Sequence, residues 1–184
     1  MIVQNFPEQI LTDRLVLRRP QPGDAEEIFS QYANDAEVTK YMSWPRHNSV
    51  KVTEEVVEFW IEQWKGSSGG AYLIADKSTD EILGSTGFEL INNHTGSTGY
   101  VLARDQWGKG YATEASMSMV SLARDLGIKR FYAYCHHEHV KSARVLEKCG
   151  FEFEGRLRNY LEFPNLSPGE VSDVLMYGWI PFES

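Results

Sequence analysis

Across a glycine-flanked turn between Tyr100 and Gly127 the chain changes its hydrophobic period, and no other stretch constrains the fold as strongly. Tyr100, Val101 and Leu102 form an apolar run suited to a buried strand. From Ala112 onward, Ala112, Ala115, Met119, Leu122 and Leu126 fall on one helical face, with Gly127 available as the stop. Between the two lies Gly108-Lys109-Gly110. Glycines here let the backbone approach a ligand closely, and the free N–H groups at a helix start favour an anion. The turn is therefore predicted to hold a phosphate, against the plainer reading of a strand-helix turn that binds nothing.

Two familiar phosphate loops are excluded. A Walker A loop ends in Gly-Lys-Ser/Thr, and here Gly108-Lys109 is followed by Gly110. A dinucleotide fingerprint ends in Gly or Ala, where this chain has Thr113.

A second segment sharpens the reading: Ser142-Ala-Arg-Val-Leu-Glu-Lys-Cys-Gly-Phe151. Together with Trp107-Gly-Lys-Gly-Tyr-Ala-Thr-Glu-Ala, it resembles the GNAT superfamily of acetyl-CoA-dependent N-acetyltransferases, in particular the ribosomal-protein-alanine N-acetyltransferase branch (RimJ/RimL-like). The likeness runs from Thr12-Asp-Arg-Leu to Asp173-Val-Leu-Met-Tyr-Gly, nearly the whole chain. It implies acetyl-CoA as the acyl donor, its pyrophosphate resting on the backbone of Gly108, Lys109, Gly110, Tyr111, Ala112 and Thr113. Val101, Leu102 and Ala103 would pair through their backbone with the pantetheine arm, as an added strand does. His139, Ser142 and Arg144 would lie beside the same molecule. Trp107 departs from the Gln or Arg usual at its place, which removes a polar contact and leaves the cradle intact. Lys109 either touches a phosphate or stays solvated.

With 184 residues the chain suits a single domain spanning 1–184. It has no apolar run of membrane-spanning length, and Met1-Ile-Val-Gln-Asn-Phe-Pro-Glu lacks the basic start and long apolar stretch of a signal peptide. A cytoplasmic protein is expected. Cys135 and Cys149, without metal-ligand spacing, read as buried free thiols. The net charge of -8 argues against general affinity for nucleic acid or an anionic membrane and is compatible with a cationic amine substrate.

In chain order, Leu15 and Leu17 alternate with charged residues as in a half-buried strand, closed by Pro20, Pro22 and Gly23. Asp24 and Glu27 read as a capping pair for a first helix ending near Asn34. A short turn leads to the loop Tyr41-Met-Ser-Trp-Pro-Arg-His, where the proline extends Trp44 beside Arg46 and His47. A second helix runs from Ser49 to Trp64, with Val52, Val56, Phe59, Trp60 and Trp64 as core, then a flexible break at Lys65-Gly-Ser-Ser-Gly-Gly. An antiparallel hairpin of 71–75 and 81–91 follows, then the central strand at 99–102, a parallel strand at 129–135, a short helix at 140–149 and closing strands at 151–163 and 171–180. The expectation is an α+β fold: a mixed, mostly antiparallel seven-stranded sheet with helices on both faces. By the resemblance, the sheet splays between its fourth and fifth strands.

Acetyl transfer to an amine needs a bound CoA, a neutral amine, a donor for the oxyanion and a proton for the departing thiolate. By the resemblance, the oxyanion donor is a backbone N–H of the central strand, at Val101 or Leu102. The Asn and Tyr used by many of these enzymes are His139 and Leu146 here, and the branch instead uses a serine at the place of Ser142. Ser142 is thus the expected catalytic acid, against the alternative of a helix cap. The central-strand Glu that serves the branch as base is Ser97 here, so the base either comes from elsewhere, with Glu89, Tyr160, Glu162 and Asp173 as candidates, or is not required. Lacking an obvious base favours an acceptor of low pKa such as an α-amine, at about 8, over lysine at about 10.4. By the resemblance, Trp44, Arg46 and His47 belong to the wall that meets the acceptor, against the plainer reading of a surface loop anchored by Trp44, and Glu89 and Tyr160 complete the candidate acceptor-binding residues. His136, His137 and His139 invite a zinc reading, but adjacent histidines on a strand face opposite ways, and no metal is expected. A non-catalytic acyl-CoA-binding module is the competing function. Exposed strands in such folds permit a homodimer.

Overall fold

The computed structural model describes residues 6–66 and 68–181. Most of the signal-peptide reading at Met1 to Asn5, and Ser67 of the predicted break, lie outside the described residues. Eight strands form one sheet: β1 (Gln9–Leu11), β2 (Leu15–Arg18), β3 (Gly69–Asp76), β4 (Ile82–Asn92), β5 (Thr95–Leu102), β6 (Arg130–His136), β7 (Glu152–Glu162) and β8 (Val171–Trp179). Their spatial order is β1-β2-β3-β4-β5-β6-β8-β7. Every neighbouring pair is antiparallel except β5 and β6, which run parallel. The helices are α1 (Ala25–Ile28), prolonged by a π turn at Phe29–Ala33, then α2 (Ala36–Thr39), α3 (Val50–Gln63), α4 (Tyr111–Asp125) and α5 (Val140–Lys148).

The eighth strand is β1, where seven strands were expected. Its three residues are largely exposed and show no buried alternation, so only the free edge of β2 reveals it, through the pairs Gln9↔Arg18 and Leu11↔Val16. Alternation along the strands divides the interior into two layers. Leu15, Leu17, Ile74, Phe88, Leu102, Met119, Phe131 and Leu146 pack on the side of α4 and α5. Ile28, Tyr32, Val57, Leu73, Ile82, Val101 and Ala103 pack on the side of α1 to α3.

Helix α4 starts at Gly110 in the left-handed region (φ 86°) and stops before Gly127 (φ 70°), two positions that a side chain would strain. The first helix departs from its expected cap. Asp24 occupies the N-cap position, but its carboxylate is bound by the Arg18 guanidinium at 2.8 and 2.9 Å and by the Gln21 N–H at 2.6 Å. Glu27 accepts the Ile82 N–H at 2.6 Å instead of closing a capping box. A guanidinium binds a carboxylate more strongly than a neutral N–H does, so the tertiary partner wins. In α3, Thr53 and Val57 are buried, and Phe59, expected in the core, is 61% exposed on the far side of the helix.

The arrangement with most bearing on function is the parting of β5 from β6. They pair only at Thr95↔Arg130, Gly96↔Phe131 and Ser97↔Tyr132. Beyond that rung β5 continues beside β4 to Leu102, while β6 continues beside β8 to His136. These are the fourth and fifth strands of the seven expected, and a gap opens between them.

Candidate active site at the parting strands

The glycine turn stands at the upper end of this gap. Gly108 (φ 77°) and Gly110 (φ 86°) bend the chain into α4, and no atom lies within 4 Å of where a Cβ on Gly108 would sit. Among the described residues, none of the backbone N–H groups from Gly108 to Thr113 donates to a protein acceptor. Leading residues of a helix have no intrahelical acceptor, so these donors and the helix dipole remain available to an anion. The turn is braced from behind. Arg14 donates through Nη1 to the Lys109 carbonyl at 2.9 Å and lies 4.5 Å from the Tyr111 ring centre. Glu114 accepts the Thr12 hydroxyl at 2.6 Å, the Arg14 N–H at 2.9 Å and Arg14 Nε at 2.7 Å. Burial alone would raise the Glu114 carboxyl, but these hydrogen bonds outweigh it and hold its pKa below the ordinary value. The Lys109 ammonium donates to Gln106 at 3.0 Å.

Along β5, backbone groups alternate between the two edges. The Ala103 N–H donates to the Leu83 carbonyl on β4 at 2.8 Å, and the Leu102 carbonyl points the other way, accepting the Trp107 indole N–H at 2.9 Å. Of Val101, Leu102 and Ala103, therefore, only Leu102 turns its backbone toward the gap. Trp107 keeps its place by this bond, and the Lys141 ammonium of α5 lies 5.5 Å from its ring.

Ser142 lies in the first turn of α5. That helix is headed by His139 with no side-chain cap, so the Ser142 hydroxyl does not serve as one. It faces the phenol of Tyr100 and the thiol of Cys135 across the gap. Burial pushes Tyr100 up to about 12 and Cys135 up to about 11, and the contact with Ser142 pulls each back down. Cys135 and Cys149 are both free and buried.

Aromatic side chains gather where β6 ends, at the same open end of the gap as the glycine turn. Tyr41 stacks between His136, at 5.0 Å, and His139, at 4.7 Å, and Phe163 meets His136 edge-on at 4.7 Å. Asn165, in the loop between β7 and β8, ties that loop to the one after α2. Its amide donates to the Thr39 and Trp44 carbonyls, each at 2.8 Å, and its carbonyl accepts the Arg46 N–H at 2.7 Å. Trp44 is half-buried and Arg46 exposed, whereas His47 is buried beneath them, its Nδ1 2.8 Å from the Thr53 hydroxyl. Tyr160 is exposed and lies edge-on to Tyr134 at 5.8 Å, and Glu89 meets Ser97 at 3.4 Å. Arg144 is exposed on α5. Asn165, Tyr41 and Tyr100 were not singled out as site residues by the sequence reading, since the partners that place them there lie more than 30 residues away in the chain.

His139 is pushed down to about 4 by burial, with repulsion from His136 and Lys141 adding to it. The unfolded chain binds a proton there below about pH 6.5 that the folded chain refuses until about pH 4, so this residue lowers stability as pH falls across that window. Urea unfolding at pH 7 and pH 5 should show a smaller acid loss for His139→Gln than for the wild type. Equal losses would contradict this.

Among the described residues, no group of three or more His, Cys, Asp or Glu side chains is placed to hold a metal ion, and no helix is long and apolar enough to cross a membrane. Residues 14–152 match the family model of the acetyltransferase (GNAT) domain. The uncharacterized N-acetyltransferase p20 of Bacillus licheniformis is 31% identical over 179 residues, 96% of this chain and 98% of its own length. The microcin C7 self immunity acetyltransferase MccE, solved with acetyl-CoA and AMP, is 26% identical with a TM-score of 0.85, over 97% of this chain and 99% of that one. The ribosomal L7/L12 α-N-protein acetyltransferase RimL is 25% identical with a TM-score of 0.80, over 95% and 94%. A braced glycine turn with free N–H groups beside two parting parallel strands, carried on a sequence that matches the family model over most of its length, shows that the chain belongs to the GNAT family of N-acetyltransferases.

Proposed function

We propose that this protein transfers the acetyl group of acetyl-CoA to a primary amine, a protein N-terminal α-amine or a small-molecule amine, by direct attack within a ternary complex. The observation that carries this is the convergence on one gap of the free N–H groups at Gly108 to Thr113, the outward-turned backbone of Leu102 and the hydroxyl of Ser142. The cradle takes the pyrophosphate, and Arg144, exposed and without an ion-pair partner among the described residues, adds a cation toward the nucleotide end. The Leu102 N–H donates to the thioester oxygen as negative charge develops on it. Ser142 donates to the departing sulfur. Cys135 is held as a thiol by burial, which makes it a poor nucleophile and favours direct attack over an acetyl-enzyme. Trp44, Arg46 and Tyr160 line the acceptor's side of the gap.

The test is CoA-thiol release from acetyl-CoA against peptides beginning with Ser, Ala or Thr, free amino acids, polyamines and aminoglycosides, with AMP as a competitor. Release with one class of amine is expected, and it names the acceptor. A rise in melting temperature with acetyl-CoA, but no release with any amine, would make the chain a CoA-binding module instead.

A further inference from the structure

We propose that Glu89 takes the proton from the acceptor's ammonium, an inference that rests on the acetyl-transfer reading above. An amine of pKa about 8 to 10 is largely protonated at neutral pH, and only its neutral form has the lone pair that attacks a carbonyl. A proton acceptor on the amine's side of the sheet therefore raises the rate by increasing the share of amine able to attack.

Several carboxylates near the gap are already engaged. Asp173 accepts Arg156 Nε at 2.6 Å and the Asn159 N–H at 2.9 Å, which hold it below the ordinary carboxylate range. Glu147 accepts the Tyr177 hydroxyl at 3.2 Å, and Glu162 accepts the Gly169 N–H at 2.8 Å. Glu89 is held less firmly: like Glu147 and Glu162 it has no ion-pair partner among the described residues, but its one hydrogen bond, accepted by Oε2 from the Ser97 hydroxyl, is longer than theirs at 3.4 Å.

Its position suits the task. Glu89 pairs across β4 and β5 with Ser97, and Ser97 pairs with Tyr132 on the last rung before β5 and β6 separate. Phe88 points into the layer beneath α4, so by alternation Glu89 faces the other side, with Ser97, Gly99 and Val101. The next rung on that face is Gly87↔Gly99, two residues without side chains, and nothing lies within 4 Å of a Cβ placed on Gly99. No side chain of that rung therefore stands between the Glu89 carboxylate and the parting strands, and the rings of Tyr134 and Tyr160, edge-on to each other, are partly exposed. Tyr134 is raised by burial first, then by neighbouring charge that includes Glu89, which places the carboxylate within electrostatic reach of that ring.

In the proposed step, the ammonium gives one proton to the Glu89 carboxylate, directly or through a water, and Glu89 later returns it to solvent. The freed lone pair forms the C–N bond, the C–S bond breaks, and the second proton shed by nitrogen accompanies the electron pair that leaves on sulfur as the thiol.

The experiment measures acetyl transfer to the panel amine that the wild type uses fastest, together with acetyl-CoA affinity and melting temperature. Glu89→Gln should lower kcat/KM about 100-fold at pH 7, the scale of a lost proton acceptor, with acetyl-CoA Kd within twofold. The deficit should shrink as pH approaches the amine's own pKa, which a merely structural role would not produce. Adding Ser97→Glu, which returns a carboxylate to the facing position of the same rung, should recover at least tenfold. A wild type that transfers while Glu89→Gln stays within twofold of it overturns this inference alone. Silence of the wild type on every amine overturns the acetyl-transfer reading, and this inference with it.

Discussion

Replacing Ser142 by alanine should lower kcat by about 10²-fold or more while leaving the Kd for acetyl-CoA within twofold. A thiol of pKa about 8.5 leaves readily only if its sulfur is protonated or stabilised as it departs, and general-acid assistance is worth about 10² to 10⁴ in rate. The serine is free for this work, because α5 is headed by His139 without any side-chain cap and the hydroxyl faces Tyr100 and Cys135 across the gap. Loss of the hydroxyl should therefore cost little stability, which separates this prediction from that of a capping residue, where about 1 kcal/mol would be lost. Steady-state kinetics with the amine found in the panel, and calorimetric titration of acetyl-CoA, make the comparison. A kcat within twofold of the wild type would remove Ser142 from the mechanism.

Phe131→Ala should destabilise the protein by about 3 to 5 kcal/mol, the usual cost of deleting a buried aromatic ring. Phe131 is fully buried, stacks on Phe88 at 4.7 Å and lies 6.1 Å from Phe151. It sits on the middle one of the few rungs that hold β5 to β6, opposite Gly96. A Cβ on Gly96 would come within 3.2 Å of this ring and 3.0 Å of Phe88, so the glycine and the stacked rings are fitted to each other. Against a total stability of about 5 to 15 kcal/mol, the loss would consume a large share. Urea unfolding at pH 7 measures it, and a loss below about 1.5 kcal/mol would show that the neighbouring rings close the cavity.

Much of the site's frame was legible in the chain. The switch of period at Gly108 to Gly110 marked the strand, the turn and α4, because all three depend on interactions within a few residues: glycine at positive φ, helical spacing and orphan N–H groups. The order of the longer strands was legible for the same reason. Side-chain partners were less so. Asp24 and Glu27 have the spacing of a cap, yet Arg18 and the Ile82 N–H take them. Phe59 has the spacing of a core residue, yet α3 turns it outward, and His47 reads as a loop residue, yet it is buried against Thr53.

By itself, then, the sequence determined which of the longer segments are helix and strand and where the glycine turn between β5 and α4 falls, since those follow from local geometry and hydrophobic period. Only the tertiary structure decided that β1 completes the edge, that Leu102 alone among its neighbours turns its backbone to the gap, that Ser142 faces Tyr100 and Cys135, and that Glu89 meets Ser97 at the parting rung. Those outcomes depend on strand register and on charges that meet across the fold, and no window of neighbouring residues contains them.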